Sequence, residues 1–76
     1  MRFRVSEFDA WAEPLGLTTI ADKARFCGFT ETSHFFRVYK GQIGCGGRFA
    51  SRVLSAPWPG RKPPVFEDFF TFEVAS

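Results

Sequence analysis

Gly28 constrains this chain more than any other residue. It directly follows a segment in which Ile20, Ala24 and Cys27 fall at i, i+4 and i+7, the spacing of one apolar helix face. A glycine there supplies the left-handed residue on which helices commonly stop. Thr18 or Thr19 can cap the start of the same helix by accepting an amide proton that the first turn leaves unpaired. Beyond the glycine, Phe29 can plug a turn, and Thr30 to Ser33 offer capping side chains for a second helix that buries Phe35 and Val38 and stops at Gly41. Residues 18–41 therefore predict two short helices joined by a tight turn, with the rest of the chain as support.

A small residue in the first helix, a glycine at the turn, a polar start to the second helix and apolar positions three apart match the bihelical DNA-reading unit. The chain resembles the helix-turn-helix proteins of the phage repressor and Cro (XRE-like) family. Gly46-Gly47-Arg48-Phe49 with Ala50, Val53 and Leu54 looks like that family's next helix, and Phe66-Glu67-Asp68-Phe69-Phe70 looks like the close of small actinobacterial and actinophage members. The resemblance covers residues 6–74 and lies in the order and spacing of its parts. It departs from the family at Lys23, where a leucine is usually buried, and between Gly28 and Gly41, which is one residue longer than usual. A lysine stem can lie along a core while its ammonium snorkels out, which is the expectation for Lys23.

What the resemblance implies is a sequence-specific DNA-binding regulator of bacterial or phage origin whose second helix, about residues 31–40, enters the major groove. Thr32, Ser33, Phe36 and Arg37 match the base-reading positions. Arg37 suits guanine through two parallel hydrogen bonds, Phe36 suits thymine methyls, and Thr32 and Ser33 reach bases or phosphates. Thr19, Lys40 and Arg48 match positions that grip the DNA backbone. Such units usually bind two-fold operators as homodimers, because one short helix reads too few base pairs. The alternative is a protein-interaction module that kept the scaffold and lost DNA reading, with Phe36 and Tyr39 in a protein groove.

Charge is distributed in keeping with this. Residues 20–62 carry eight basic and two acidic side chains, a local +6, while the flanks carry two basic and six acidic ones, a local −4. A solvated surface would explain the same excess, so charge alone does not decide the partner.

At 76 residues the chain is one domain, residues 1–76, near the size at which a single core only just suffices. Eleven phenylalanines, two tryptophans and one tyrosine supply that core, with enough left over for a partner surface. Arg2 to Val5 and Phe70 to Val74 alternate polar and apolar, predicting a terminal antiparallel ribbon with Arg2 and Arg4 facing Glu73. Ser6 is expected to begin a helix with Asp9 at its capping-box position and Phe8, Trp11, Ala12 and Leu15 inward. Pro14 should end that helix near its last turn. Arg48 to Ser55 recovers helical periodicity after the glycine-rich residues 42–47, and the run from Pro57 to Pro64 reads as a stiff basic loop. The expected fold is thus mainly α, a compact four- to five-helix domain with a helix-turn-helix and a two-stranded ribbon from the two ends.

Other chemistries find little support. His34 beside Ser33 cannot make a nucleophile pair, because adjacent helix residues point apart. The glycines at 41, 44, 46 and 47 lack phosphate-loop context. Asp9, Glu13, Glu67 and Asp68 each have an ordinary place on a wet helix face. Cys27 and Cys45 read as reduced thiols, and without companion histidines they make no zinc site. No enzyme activity, cofactor, metal or small-molecule substrate is expected. With no membrane-spanning run or signal pattern, the expected location is the cytoplasm of a bacterial host, at the nucleoid.

Overall fold

The computed structural model describes residues 1–60 and 62–72. Strand β1 (Arg2–Phe3) leads into α1 (Val5–Ala12). A 3-10 turn (Glu13–Leu15), α2 (Ile20–Phe26), α3 (Thr32–Tyr39), α4 (Gly47–Leu54), the single-turn α5 (Phe66–Phe69) and β2 (Phe70–Thr71) follow. The chain is mainly α, and its two strands pair antiparallel with Arg2 opposite Thr71 and Phe3 opposite Phe70. The ribbon is shorter than its alternation suggests, because Val5 already belongs to α1. Glu73 and Val74, with the expected pairing of Glu73 to Arg2 and Arg4, lie outside the described residues.

The start of α1 departs from expectation. Arg4, not Ser6, is its N-cap, and no side chain caps it. The Arg4 amide donates to the Phe69 carbonyl at 2.7 Å and its guanidinium donates to the Glu67 carbonyl at 2.6 Å. Cross-chain pairing to α5 therefore holds the residue where strand becomes helix, and a local capping box is not needed. Asp9 turns to a different use, described below. Pro14 falls inside the 3-10 turn after α1, where its missing amide proton costs nothing, and Gly16 (φ 73°) reverses the chain.

Within the two-helix unit the local chemistry acts as its residues predict. Thr19 Oγ1 accepts from the Asp22 amide at 3.0 Å. Gly28 (φ 81°) stops α2, with its own amide donating to Arg25 O and the Phe29 amide donating to Ala24 O. Gly41 (φ 74°) stops α3 with the same pair of bonds, to Val38 O and from Gln42 to Arg37 O. The expected cap of α3 is absent: Glu31 is the N-cap and bonds no helix amide. Helix α4 begins one residue earlier than expected, at Gly47, and ends at Leu54.

Seven of the eleven phenylalanines are buried, and Phe35 of α3 sits among them. Its ring lies 5.4 Å from Phe29, 5.6 Å from Phe49 and 5.9 Å from Phe8, centroid to centroid. Trp58 was legible in the sequence only as part of a loop, yet it is a core residue. Its Nε1 donates to the Val53 carbonyl at 2.8 Å, and its ring packs edge-on against Phe8, Trp11 and Phe26. The Trp58 amide donates to the Ala56 carbonyl at 2.7 Å, turning the chain at Pro57, and the indole supplies the apolar area that draws the segment onto the helices.

Candidate nucleic-acid interface

Helix α3 buries Phe35 and Val38 on one side. At about 100° per residue, Thr32, Ser33, Phe36, Arg37 and Lys40 occupy the opposite side, and all five are exposed. The four residues matched to base reading thus share one face, and Lys40 joins them at its C-terminal end. Phe36 is 42% exposed, a large aromatic ring with the Lys40 ammonium 5.7 Å from its centroid.

Two grooves flank the helix. On the α2 side, a groove of about 360 Å³ has Ile20 and Ala21 facing Thr32 and Phe36. The other, of about 190 Å³, runs toward α4 and gathers Thr30, His34, Arg48 and Arg52 around Phe49. A wider cleft of about 1050 Å³ lies between β1 and residues 41–45, and of the seven assigned residues only Lys40 reaches it.

The cations divide into two groups. Arg25 is tied to Asp22 at 2.6 Å, a bond that holds the Asp22 carboxyl below its ordinary range, with the Thr19 hydroxyl as a further cause. Arg52 donates to the Gly28 carbonyl at 2.8 Å and lies over the Phe29 ring, bracing the turn. Among the described residues, Arg37, Lys40 and Arg48 form neither a hydrogen bond nor an ion pair through their side chains. These three leave their charge uncommitted among the described residues. Thr19 accepts a bond from the Asp22 amide as the cap of α2, and its hydroxyl also faces the Asp22 carboxylate, so both of its bonding capacities are engaged within the helix start.

Ser33 Oγ donates to Glu31 Oε1 at 2.8 Å, so its remaining capacity toward a ligand is as an acceptor. Glu31 itself is a residue that sequence reasoning left unassigned. Its carboxylate stands at the leading end of α3, where it repels phosphate and suits a donor such as the cytosine amino group. Only its position at the head of the helix could have signalled this.

Beneath the exposed face, a polar cluster fixes α3 to its neighbours. Lys23 of α2 is buried, and its ammonium reaches Asp9 of α1 at 3.0 Å and the Tyr39 hydroxyl at 3.1 Å. The Tyr39 hydroxyl lies 2.8 Å from the Asp9 carboxylate. Lys23 therefore does not snorkel to solvent as expected, because two partners from different helices meet its charge inside. Burial opposes the charged ammonium, but the bonds to Tyr39 and Asp9 outweigh it and the Lys23 pKa rises. Burial likewise raises Tyr39; the Lys23 bond opposes this and the Asp9 bond reinforces it. Asp9 is thus half-buried and paired rather than simply solvated, and the Tyr39 hydroxyl is engaged within the fold.

Both cysteines are free thiols. Burial pushes Cys27 up to about 12, and it also raises Cys45, whose Sγ lies 3.5 Å from the Met1 carbonyl. Among the described residues no cluster of His, Cys, Asp and Glu could hold a metal ion, and no helix is long and apolar enough to cross a membrane. No protein-family model, curated protein or solved structure matches the chain.

Proposed function

We propose that this chain is a sequence-specific DNA-binding transcriptional regulator that inserts α3 into the major groove. The observation that carries the reading is the exposed face of α3, where Thr32, Ser33, Phe36 and Arg37 stand together while Phe35 and Val38 anchor the helix from behind. A groove-entering helix needs that combination of a rigid back and a mixed polar, apolar and cationic front. Arg37 reads guanine, and Lys40 and Arg48 hold phosphates. Four reading residues cover few base pairs, so a homodimer on an inverted repeat supplies the remaining specificity. The protein acts in the cytoplasm of a bacterial host.

Selection of bound sequences from random duplex DNA tests this. An enriched inverted repeat with half-sites about 10 base pairs apart, centre to centre, is the expected result; recovery of unenriched sequence overturns it. Exposure of Phe36 and Ile43 favours a second reading, a protein-interaction module. Salt separates the two. Phosphate contacts weaken binding steeply between about 50 and 200 mM salt, whereas an aromatic interface responds little.

A further inference from the structure

The wide cleft between β1 and residues 41–45 has no part in base reading. None of Thr32, Ser33, Phe36 and Arg37 lines it, and from α3 it takes only Val38 and Tyr39, with Lys40 at the helix end. Its volume of about 1050 Å³ exceeds that of either groove beside α3 and is ample for a small organic ligand. The lining is apolar in part. Phe3 and Val38 are buried, Val5 and Tyr39 are half-buried, and Ile43 of the loop is left exposed in the opening.

Charge in the cleft does not cancel. Both of its carboxylates already have cations: Asp9 lies 3.0 Å from Lys23, and Glu7 lies 3.6 Å from Arg4. Arg2 and Lys40 also line the cleft and are exposed, and among the described residues neither side chain forms a hydrogen bond or ion pair. We propose that this cleft binds a small organic anion with an aromatic or aliphatic body, the anionic group meeting Arg2 and Lys40 and the body lying against Ile43 and the Tyr39 ring. A DNA backbone has no such body to bury, and the reading face of α3 lies elsewhere. Lys40 nevertheless belongs to both sites. Its ammonium lies 5.7 Å from the Phe36 ring centroid, on the reading side, and an anion in the cleft draws this flexible, exposed side chain away from a phosphate. Ligand and DNA then compete for one charge, and each weakens the other by the same factor. That competition rests on the DNA-reading function above, whereas the site does not.

The test uses the full chain and anilinonaphthalene sulfonate, an aromatic anion that fluoresces on leaving water, with uncharged phenylnaphthylamine as its control. One saturable site is expected, with amide shift changes in heteronuclear NMR confined to residues 1–5 and 38–45. The control should bind about fivefold more weakly, the effect of two exposed ion pairs, and Arg2→Ala should weaken the anion alone by about twofold. Ile43→Ser should weaken both probes by about fivefold through lost apolar contact, and Phe72→Ala should change neither. These side chains are solvent-exposed, so the variants should fold. On the selected duplex, saturating anion should weaken binding severalfold and reduce the salt slope by about one unit, and Lys40→Ala should abolish both effects. Equal affinity for the two probes, indifference to Arg2→Ala and Ile43→Ser, or shift changes centred on Phe36 or Phe72 would overturn the site. An anion that fills the cleft and leaves the salt slope unchanged would overturn the competition for Lys40. A chain that binds no duplex fails as a DNA reader, while fluorescence and NMR still decide the cleft.

Discussion

Removing Asp9 leaves the Lys23 ammonium in the interior with only the Tyr39 hydroxyl as a partner. Breaking a buried pair by deleting one member costs about 3 to 5 kcal/mol, because the survivor is charged and desolvated. That range needs a discount here, since the Asp9 side chain is 38% exposed and solvent already screens it, whereas Lys23 is 10% exposed. Asp9→Ala should therefore cost about 2 to 3 kcal/mol. For a domain of this size, whose whole stability is about 4 to 11 kcal/mol, the loss is large, and at about 4 to 8 °C per kcal/mol the melting temperature should fall by roughly 10 to 20 °C. The opposite perturbation separates this cause from simple loss of contact. Lys23→Met keeps the length and apolar stem, and leaves Asp9 part-solvated with the Tyr39 hydroxyl still bonded, so its cost should stay within about 1 kcal/mol. The double variant should resemble Lys23→Met alone, because no buried charge remains to be orphaned. Urea unfolding followed by far-ultraviolet dichroism measures all three. Asp9→Ala within about 0.5 kcal/mol of the parent, or Lys23→Met as damaging as Asp9→Ala, would refute the reasoning.

Arg37→Ala should cost about 1 to 3 kcal/mol on the selected operator and spare non-specific binding, whereas Arg48→Ala should weaken all sequences alike and reduce the salt slope by about one unit; titrations over a salt series check both, and reversed outcomes would place the reading helix one residue out of register. Because the buried Cys27 thiol titrates at about 12 rather than an ordinary 9.0, the folded chain keeps a proton that the unfolded chain releases, so this contribution is full below pH 9 and is lost as pH rises through 12. Lys23 and Tyr39, both raised, act in the same direction from about pH 10 upward. Stability should drop by roughly 2 kcal/mol between pH 8 and 10.5, a fall that Cys27→Ala should lessen; an unchanged urea midpoint would contradict the burial of the thiol. A thiol reagent at pH 8 should modify half-buried Cys45 well before Cys27, and equal rates in the folded protein would argue against the packing of α2. Trp58→Phe removes the indole bond to the Val53 carbonyl, which keeps the Ala56 amide at 3.4 Å, and should cost about 0.5 to 1.5 kcal/mol by denaturant melting, with a gain in stability showing that the loop is not part of the core.

The two-helix unit was legible in the sequence because its signals are local. A threonine hydroxyl reaches an amide three residues away, and a glycine stops a helix through bonds to carbonyls in the turn just completed, so Thr19, Gly28 and Gly41 need no distant partner to act. The exposed face of α3 follows from the same periodicity, since burying Phe35 and Val38 leaves Thr32, Ser33, Phe36 and Arg37 opposite. Tertiary structure decided whatever depends on residues far apart in the chain. Arg4 starts α1 because Phe69 and Glu67 hold it, Trp58 enters the core because Phe8, Trp11 and Phe26 offer it their rings, and Lys23 stays inside because Asp9 and Tyr39 arrive from two other helices. Charge and exposure at such positions are set by what folding brings within about 3 Å, a distance that spacing along the chain does not encode.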